Sequence, residues 1–454
     1  MTTALVETPR HVGTPPPELP GGHFLLGHLP SFRNDLAGLL LGVAKTHPEV
    51  VTMPLGLARR ILTMSSPALA NEVLATKQRA FVKSAGLSIF LRPVLGDGLL
   101  TSERETHERQ RRLLAPAFAP KRIAAYARTM QERAGRFVVS LRDGQRLDLA
   151  ESMMELTLEI VGKTLFDAEV VSDAGVVGEA LTTAMEVAIG QLGSFVPVPP
   201  MIPSPGNSRY RRAVRRLDDV VYRVIRDRRT AGGDRGDVLS VLLDARDEDG
   251  TSMTDRQVRD EAMTLFIAGH ETTANALSWA FYLLARHPEV RSTMETELDA
   301  LGHAPTFEDL KRLPYTLAVF KETMRLYPPA YLLGRRAVED VVIGDHLVKR
   351  NTIVFVNIIG IHRRADLWPD PERFDPQRFL REKDKTLPRC AYMPFGAGPR
   401  VCIGNHFALM EGHLLLATIA GRARFELASQ VPVEVDPLVT LRPKGGIDVR
   451  AELR

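Results

Sequence analysis

Apolar residues recur at intervals of three and four along most of the chain. This periodicity predicts helices over 67–76, 106–114, 121–141, 150–165, 176–190, 207–229, 254–286, 288–301 and 307–327. Strand signals are fewer: VVTMPL and RRILTMS at 50–55 and 59–65, then VVIG and NTIVFVN at 341–344 and 351–357, read as short strands between turns. A helix-rich α+β protein with small sheets follows. One helix departs from the amphipathic rule, because 263–288 is apolar nearly all round, with its polar side chains gathered in HETT at 270–273. A helix of that kind is buried, and polar groups inside it need partners. That island asks for a chemical explanation.

Proline marks the irregular parts. The stretch 14–20 is predicted to run extended over the surface, so residues 1–19 form a leader and 20–454 a single domain, with no internal repeat or composition break inside it. The segment 365–393 is crowded with Pro, Asp and Arg, too Pro-rich for regular structure and too long for an idle loop. Between 193 and 206, SFVPVPPMIPSP is apolar yet Pro-broken, as in a greasy lid, a membrane-touching loop or a stiff connector.

Composition then removes some classes of function. The 59 basic and 55 acidic side chains nearly cancel to a formal charge of +4, which gives no general affinity for nucleic acid. The basic run at 209–229 is interrupted by Asp218, Asp219 and Asp227 and offers no interleaved aromatics, so it reads as a solvated helix face. Two cysteines, Cys390 and Cys402, cannot build a disulfide framework and suit a reducing compartment. The first residues lack the layout of a signal peptide, and no window reaches the roughly 18 apolar residues of a membrane span. The expectation is a cytoplasmic monomer without a transmembrane anchor.

Two motifs carry chemistry. HETTA supplies the first His and the Glu of a zinc-protease helix, but the second His, one turn on, is replaced by Ala274. FGAGPRVCIG at 395–404 is more informative. Gly396, Gly398 and Gly404 bracket Cys402 and let the backbone approach a flat partner closely, while the helix that follows favours a thiolate held ready for a metal. Structural zinc on Cys402, His406 and His413 would lack a fourth ligand, and Cys390 has no comparable surroundings.

FGAGPRVCIG matches F-x-x-G-x-R-x-C-x-G without a mismatch, and on that loop the chain resembles the cytochrome P-450 family. The resemblance implies a haem-thiolate monooxygenase, with haem b lying between the long central helix and the cysteine loop. Cys402 would be the metal ligand, with Phe395, Gly396, Gly398, Arg400 and Gly404 around it and Arg400 on a haem propionate. AGHETT at 268–273 is similar to the family's oxygen-activating stretch, with Glu271 as the acid and Thr272 as the alcohol. Spacing agrees: Thr272 lies one turn after Ala268 and can bond its carbonyl, which together with Gly269 opens a groove. His107, Arg111 and Arg335 match positions where the family anchors propionates.

Glu322 and Arg325, spaced i, i+3, resemble two members of the family's buried ionic trio, and Arg373 of PERF is expected to be the third. By the same analogy Phe90, Ile267, Ala330, Leu332, Leu333 and Val439 would line the substrate pocket, with neighbours around 195–202 and 438–440. These are overwhelmingly apolar, which implies a lipid-like, terpenoid, steroid or polyketide substrate. One atom of dioxygen would enter a C–H or C=C bond. Electrons would come from a separate ferredoxin or flavodoxin with its NAD(P)H-dependent reductase, since the chain has no room for a flavin or iron–sulfur domain.

Overall fold

The computed structural model describes residues 13–56, 59–84, 91–167, 174–192, 198, 202–233, 235–246, 250–380 and 387–454. Its axis is the 32-residue helix Asp255–Arg286. Thr254 and Gln257 cap its start reciprocally: the Gln257 N–H donates to the Thr254 hydroxyl at 3.3 Å, and the Thr254 N–H donates to the Gln257 side chain at 2.9 Å. It stops at His287 because Pro288 disfavours helical backbone in the residue before it and opens the next helix, Pro288–Asp299.

Around this axis pack Leu149–Phe166, Pro205–Ala231, Val238–Asp244, Pro314–Leu326 and Asn405–Ala420, sealing one large apolar core. Trp279 of the central helix stacks on Tyr327 with ring centroids 4.0 Å apart. The helix expected over 307–327 is divided, because Pro314 ends the short turn Glu308–Arg312 and starts Pro314–Leu326. Likewise the helical turn Pro67–Asn71 continues as the wider turn Glu72–Thr76.

The larger sheet joins segments far apart in sequence. Its order is Val50–Leu55, Arg59–Met64, Ile353–Val356, Leu333–Ala337 and Phe81–Lys83, with only the second and third strands parallel. Periodicity does not predict the last two strands, which are short and half polar. Their register sets Lys83 directly opposite Arg335. Near the C-terminus, Val435–Pro437 and Leu441–Pro443 form a hairpin whose tip is 438–440. Residues 17–19 run along the sheet edge, where Pro17 accepts from the Thr52 N–H and Leu19 donates to the Thr52 carbonyl.

Candidate active site

Between Val258 and Leu284 every residue of the central helix is buried except Ala268, Gly269 and Thr272. On a helix packed on all other sides, exposed Ala268 and half-buried Thr272 border space that packing leaves open, while Gly269 lies against Val161. The three residues lie within one turn, and the Thr272 hydroxyl donates to the Ala268 carbonyl at 2.9 Å, as their spacing predicts. His270, the first residue of the island, turns away into the core, where its ring bonds the Phe266 carbonyl at 2.7 Å and burial lowers its pKa to about 4.

The cysteine loop is shaped by its glycines. Gly396 and Gly398 have φ of +73° and +72°, and a side chain on Gly398 would collide with the Leu74 carbonyl, so the loop lies flat on the turn Glu72–Thr76. The Cys402 N–H donates to the Phe395 carbonyl at 3.0 Å, and the Arg111 guanidinium holds the Val401 carbonyl at 2.8 Å. Cys402 keeps exposed surface, yet the protein packed around it raises its thiol pKa; only the Gly404 N–H and Arg111 oppose that rise. An exposed atom within a dense shell marks an interior cleft. Without a cation at the sulfur, burial therefore favours the thiol over the thiolate.

Beside the loop the structure gathers charge. His107, buried and held near pKa 3 by desolvation, feels Lys83, Arg400, Arg111 and Arg335. Four basic side chains thus surround a neutral imidazole, answered by Glu103 and, beside Lys83, by Glu261. Glu103 pairs with Arg400 and accepts the Lys83 N–H at 2.6 Å. The remaining bonds are weak compensation for buried charge. The Lys83 ammonium reaches only the Leu99 and Ser102 carbonyls at 3.1 and 2.7 Å, and Nη1 of Arg400 is buried without a partner. Burial and the Arg400 charge bring Lys83 down to about 7 and Arg335 to about 10. Like charges opposite one another across a strand pair repel, so this cluster fits a dianion, as the two propionates of haem would be. Lys83 and Glu103 carried no motif and escaped the sequence reading; only strand register reveals them.

The ionic trio forms with a different third member. Glu322 and Arg325 are fully buried and joined by two hydrogen bonds, of 2.7 and 2.8 Å. The third side chain is Arg378, whose guanidinium lies 3.3 Å from Glu322. Arg373 is exposed and contributes only its backbone carbonyl, 3.2 Å from Arg325. The reason is geometric: the tight turn at Asp370 directs Arg373 outward, whereas the turn Pro376–Phe379 brings Arg378 inward. Arg325 also donates to the His362 carbonyl at 2.8 Å, and the His362 ring accepts the Met393 N–H at 2.9 Å, which carries the network to the cysteine loop.

Glu271 is buried on the face of the helix away from His270. Its carboxylate accepts from Thr440 at 2.5 Å, and the Asn275 amide donates to the same hydroxyl at 3.1 Å. Burial raises the Glu271 pKa against the opposing effects of Thr440 and Arg442. Asn275 thus belongs to the site's hydrogen bonding. Of the expected pocket residues, Ile267 is buried and Ala330, Leu332, Leu333 and Val439 are half-buried. Phe90 and most of 195–202 lie outside the described residues.

Comparison with known proteins agrees with this geometry. The family model for cytochrome P450 matches residues 16–449. Cyclooctat-9-en-7-ol 5-monooxygenase of Streptomyces melanosporofaciens is 37% identical over 93% of this chain and 91% of its own. Pentalenene oxygenase of Streptomyces avermitilis is 35% identical over 83% and 82%, and mouse leukotriene-B4 omega-hydroxylase 3 is 31% identical over 96% and 89%.

Proposed function

The chain belongs to the cytochrome P450 family and is a haem-dependent monooxygenase, and we propose that it oxygenates a polycyclic terpenoid or similar apolar molecule, using haem b and electrons from a separate ferredoxin or flavodoxin with its reductase. The observation that carries this reading is the pairing of an exposed Cys402, in a dense shell, with an under-compensated cluster of four basic side chains. The relatives named for cyclooctat-9-en-7-ol and pentalenene support a terpenoid. So does the apolar character of Ile267, Ala330, Leu332, Leu333 and Val439. Among the described residues, no helix is long and apolar enough to cross a membrane.

When bound, haem supplies the iron at which dioxygen is activated for transfer of one atom to substrate, the other leaving as water. Cys402 Sγ would hold that iron, and Arg335, Arg400, Lys83 and Arg111, with His107 among them, would receive the propionates. Across the cleft, the Thr272 hydroxyl donates its hydrogen bond to the Ala268 carbonyl, which leaves the Oγ1 lone pairs to accept from a water and orient it as a donor. Glu271, whose burial favours the neutral acid, can carry the replacement proton. The apolar wall excludes other water.

The test is spectroscopic. Reduced protein under carbon monoxide should show the red-shifted Soret band of thiolate-ligated haem, retained in Cys390→Ser and lost in Cys402→His. Titration with cyclooctat-9-en-7-ol, pentalenene and a straight-chain fatty acid should move the Soret band most with a cyclic terpenoid. Preference for the fatty acid would reject the proposed substrate class.

A further inference from the structure

Glu271 does not meet bulk solvent. It is 7% exposed, and its hydrogen-bond partner, Thr440, lies 169 residues away in the hairpin Val435–Pro437/Leu441–Pro443. That hairpin is fastened on both sides of Thr440. The Tyr331 hydroxyl donates to the Pro437 and Leu438 carbonyls at 3.1 and 2.8 Å, the Trp279 indole donates to the Leu441 carbonyl at 3.0 Å, and the Leu441 N–H donates to the Pro329 carbonyl at 3.0 Å. Thr440 itself is used in both directions, accepting from Asn275 and donating to Glu271. Asn275 and Glu271 stand one turn apart on the central helix, so one hydroxyl bridges a rigid helix and a rigid hairpin tip.

A buried carboxylate with a single hydroxyl donor is poised between charge states, because burial favours the acid and the hydrogen bond favours the anion. The nearby charge is Arg442 on the hairpin strand, itself paired with Asp436 at 2.8 Å and within 3.7 Å of Glu186. Arg442 is thereby partly neutralised, which leaves the Thr440 bond as the adjustable contact.

We propose that Thr440 is the positioning residue for Glu271, fixing the direction of its carboxyl and the ease with which it takes up and releases a proton, with Asn275 holding Thr440 in turn. The proposal rests on the reading of Glu271 as the proton carrier. Leu438 and Val439 share the hairpin tip with Thr440, so the segment assigned to the pocket wall also carries the group that sets the acid.

Infrared titration of the holoprotein tests this directly. The carbonyl stretch of protonated Glu271 is identified as the band that Glu271→Gln removes. Its pH midpoint should rise by about one unit or more in Thr440→Val, since a hydrogen bond to the charged form is lost, and should return to the wild-type value in Thr440→Ser. Thr440→Ala serves as the second donor-less variant should the valine protein not fold. An unchanged midpoint in the donor-less variant, or a serine variant that behaves like it, overturns the assignment.

The second arm follows the pH profile of NADPH oxidation with a surrogate ferredoxin and reductase. Glu271→Gln should remove a limb that the donor-less variant shifts upward. If Glu271→Gln leaves the profile unaltered, the proton role of Glu271 fails. If it removes the limb but the donor-less variant does not move it, only the role of Thr440 fails.

Discussion

Two clusters of buried charge stand on either side of the cysteine loop, and they are built on opposite rules. Around Glu322, the Arg325 guanidinium donates two hydrogen bonds to the carboxylate, the spare Arg325 N–H groups find backbone carbonyls, the Asp375 N–H reaches Glu322 at 3.0 Å, and Arg378 approaches the same oxygen. Around Glu103, four basic side chains meet that carboxylate and, beside Lys83, Glu261, and among the described residues Nη1 of Arg400 has no hydrogen-bond partner. The first cluster sets its carboxylate against guanidinium charge without a ligand, although Nε of Arg378, 3.3 Å from Glu322, is buried with no hydrogen bond among the described residues. The second carries a surplus of positive charge that a dianion would offset. Buried charge alone does not indicate a site; buried charge left unanswered does.

The largest effect should come from the Glu322 cluster. Glu322→Ala or Arg325→Ala strands a fully buried charge at a cost of about 3–5 kcal/mol, so expression of each should yield little folded protein. Soluble, normally melting variants would reduce that cluster to the status of a surface pair.

Arg335→Gln and Arg400→Gln should behave in the reverse way. Haem should transfer from them to a scavenging apoprotein roughly 10- to 100-fold faster, corresponding to a charged hydrogen bond of about 1.5–3 kcal/mol. The apoproteins should melt no lower than wild type, because repulsion is relieved. Destabilised apoproteins that retain haem normally would erase the distinction between the clusters.

Lys83 sharpens it through pH. Its pKa near 7 in the fold lies below the ordinary 10.5, so above pH 7 the unfolded chain binds more protons at this residue, and stability from it rises with pH until about 10.5. Below pH 7 both states are protonated and the contribution is flat. Urea unfolding of the apoprotein at pH 6.5 and 9.5 should therefore show a relative gain at the higher pH that Lys83→Met abolishes.

The smallest effect discriminates between two arginines of one segment. Arg378→Ala should cost about 1–3 kcal/mol, as the loss of a partly buried partner, while Arg373→Ala should stay within about 0.5 kcal/mol, as at ordinary surface positions. A reversed order would restore Arg373 to the trio.

Much of the cysteine side was legible in the chain. Phe395, Gly396, Gly398, Arg400, Cys402 and Gly404 sit within ten residues, so their relative placement is a matter of local backbone. The same holds for Thr272 and Ala268, one turn apart on a helix whose apolar surroundings guarantee burial. Arg373 was misread because two arginines five residues apart in an irregular, Pro-rich segment differ only in which turn aims them inward. Lys83 and Glu103 lacked any signal, since a lysine in a three-residue strand and a glutamate before a helix are ordinary until they are brought together.

By itself, the sequence determined the long apolar helix with its polar island, the glycine-shaped cysteine loop and the Glu322–Arg325 pair, because each depends on spacing within a few turns of chain. Tertiary structure decided what those pieces experience. Strand register set Lys83 against Arg335, the hairpin tip brought Thr440 to Glu271, and dense packing raised the Cys402 thiol pKa. The physical reason is that charge state and burial follow distances between segments, and those distances exist only once the segments have packed.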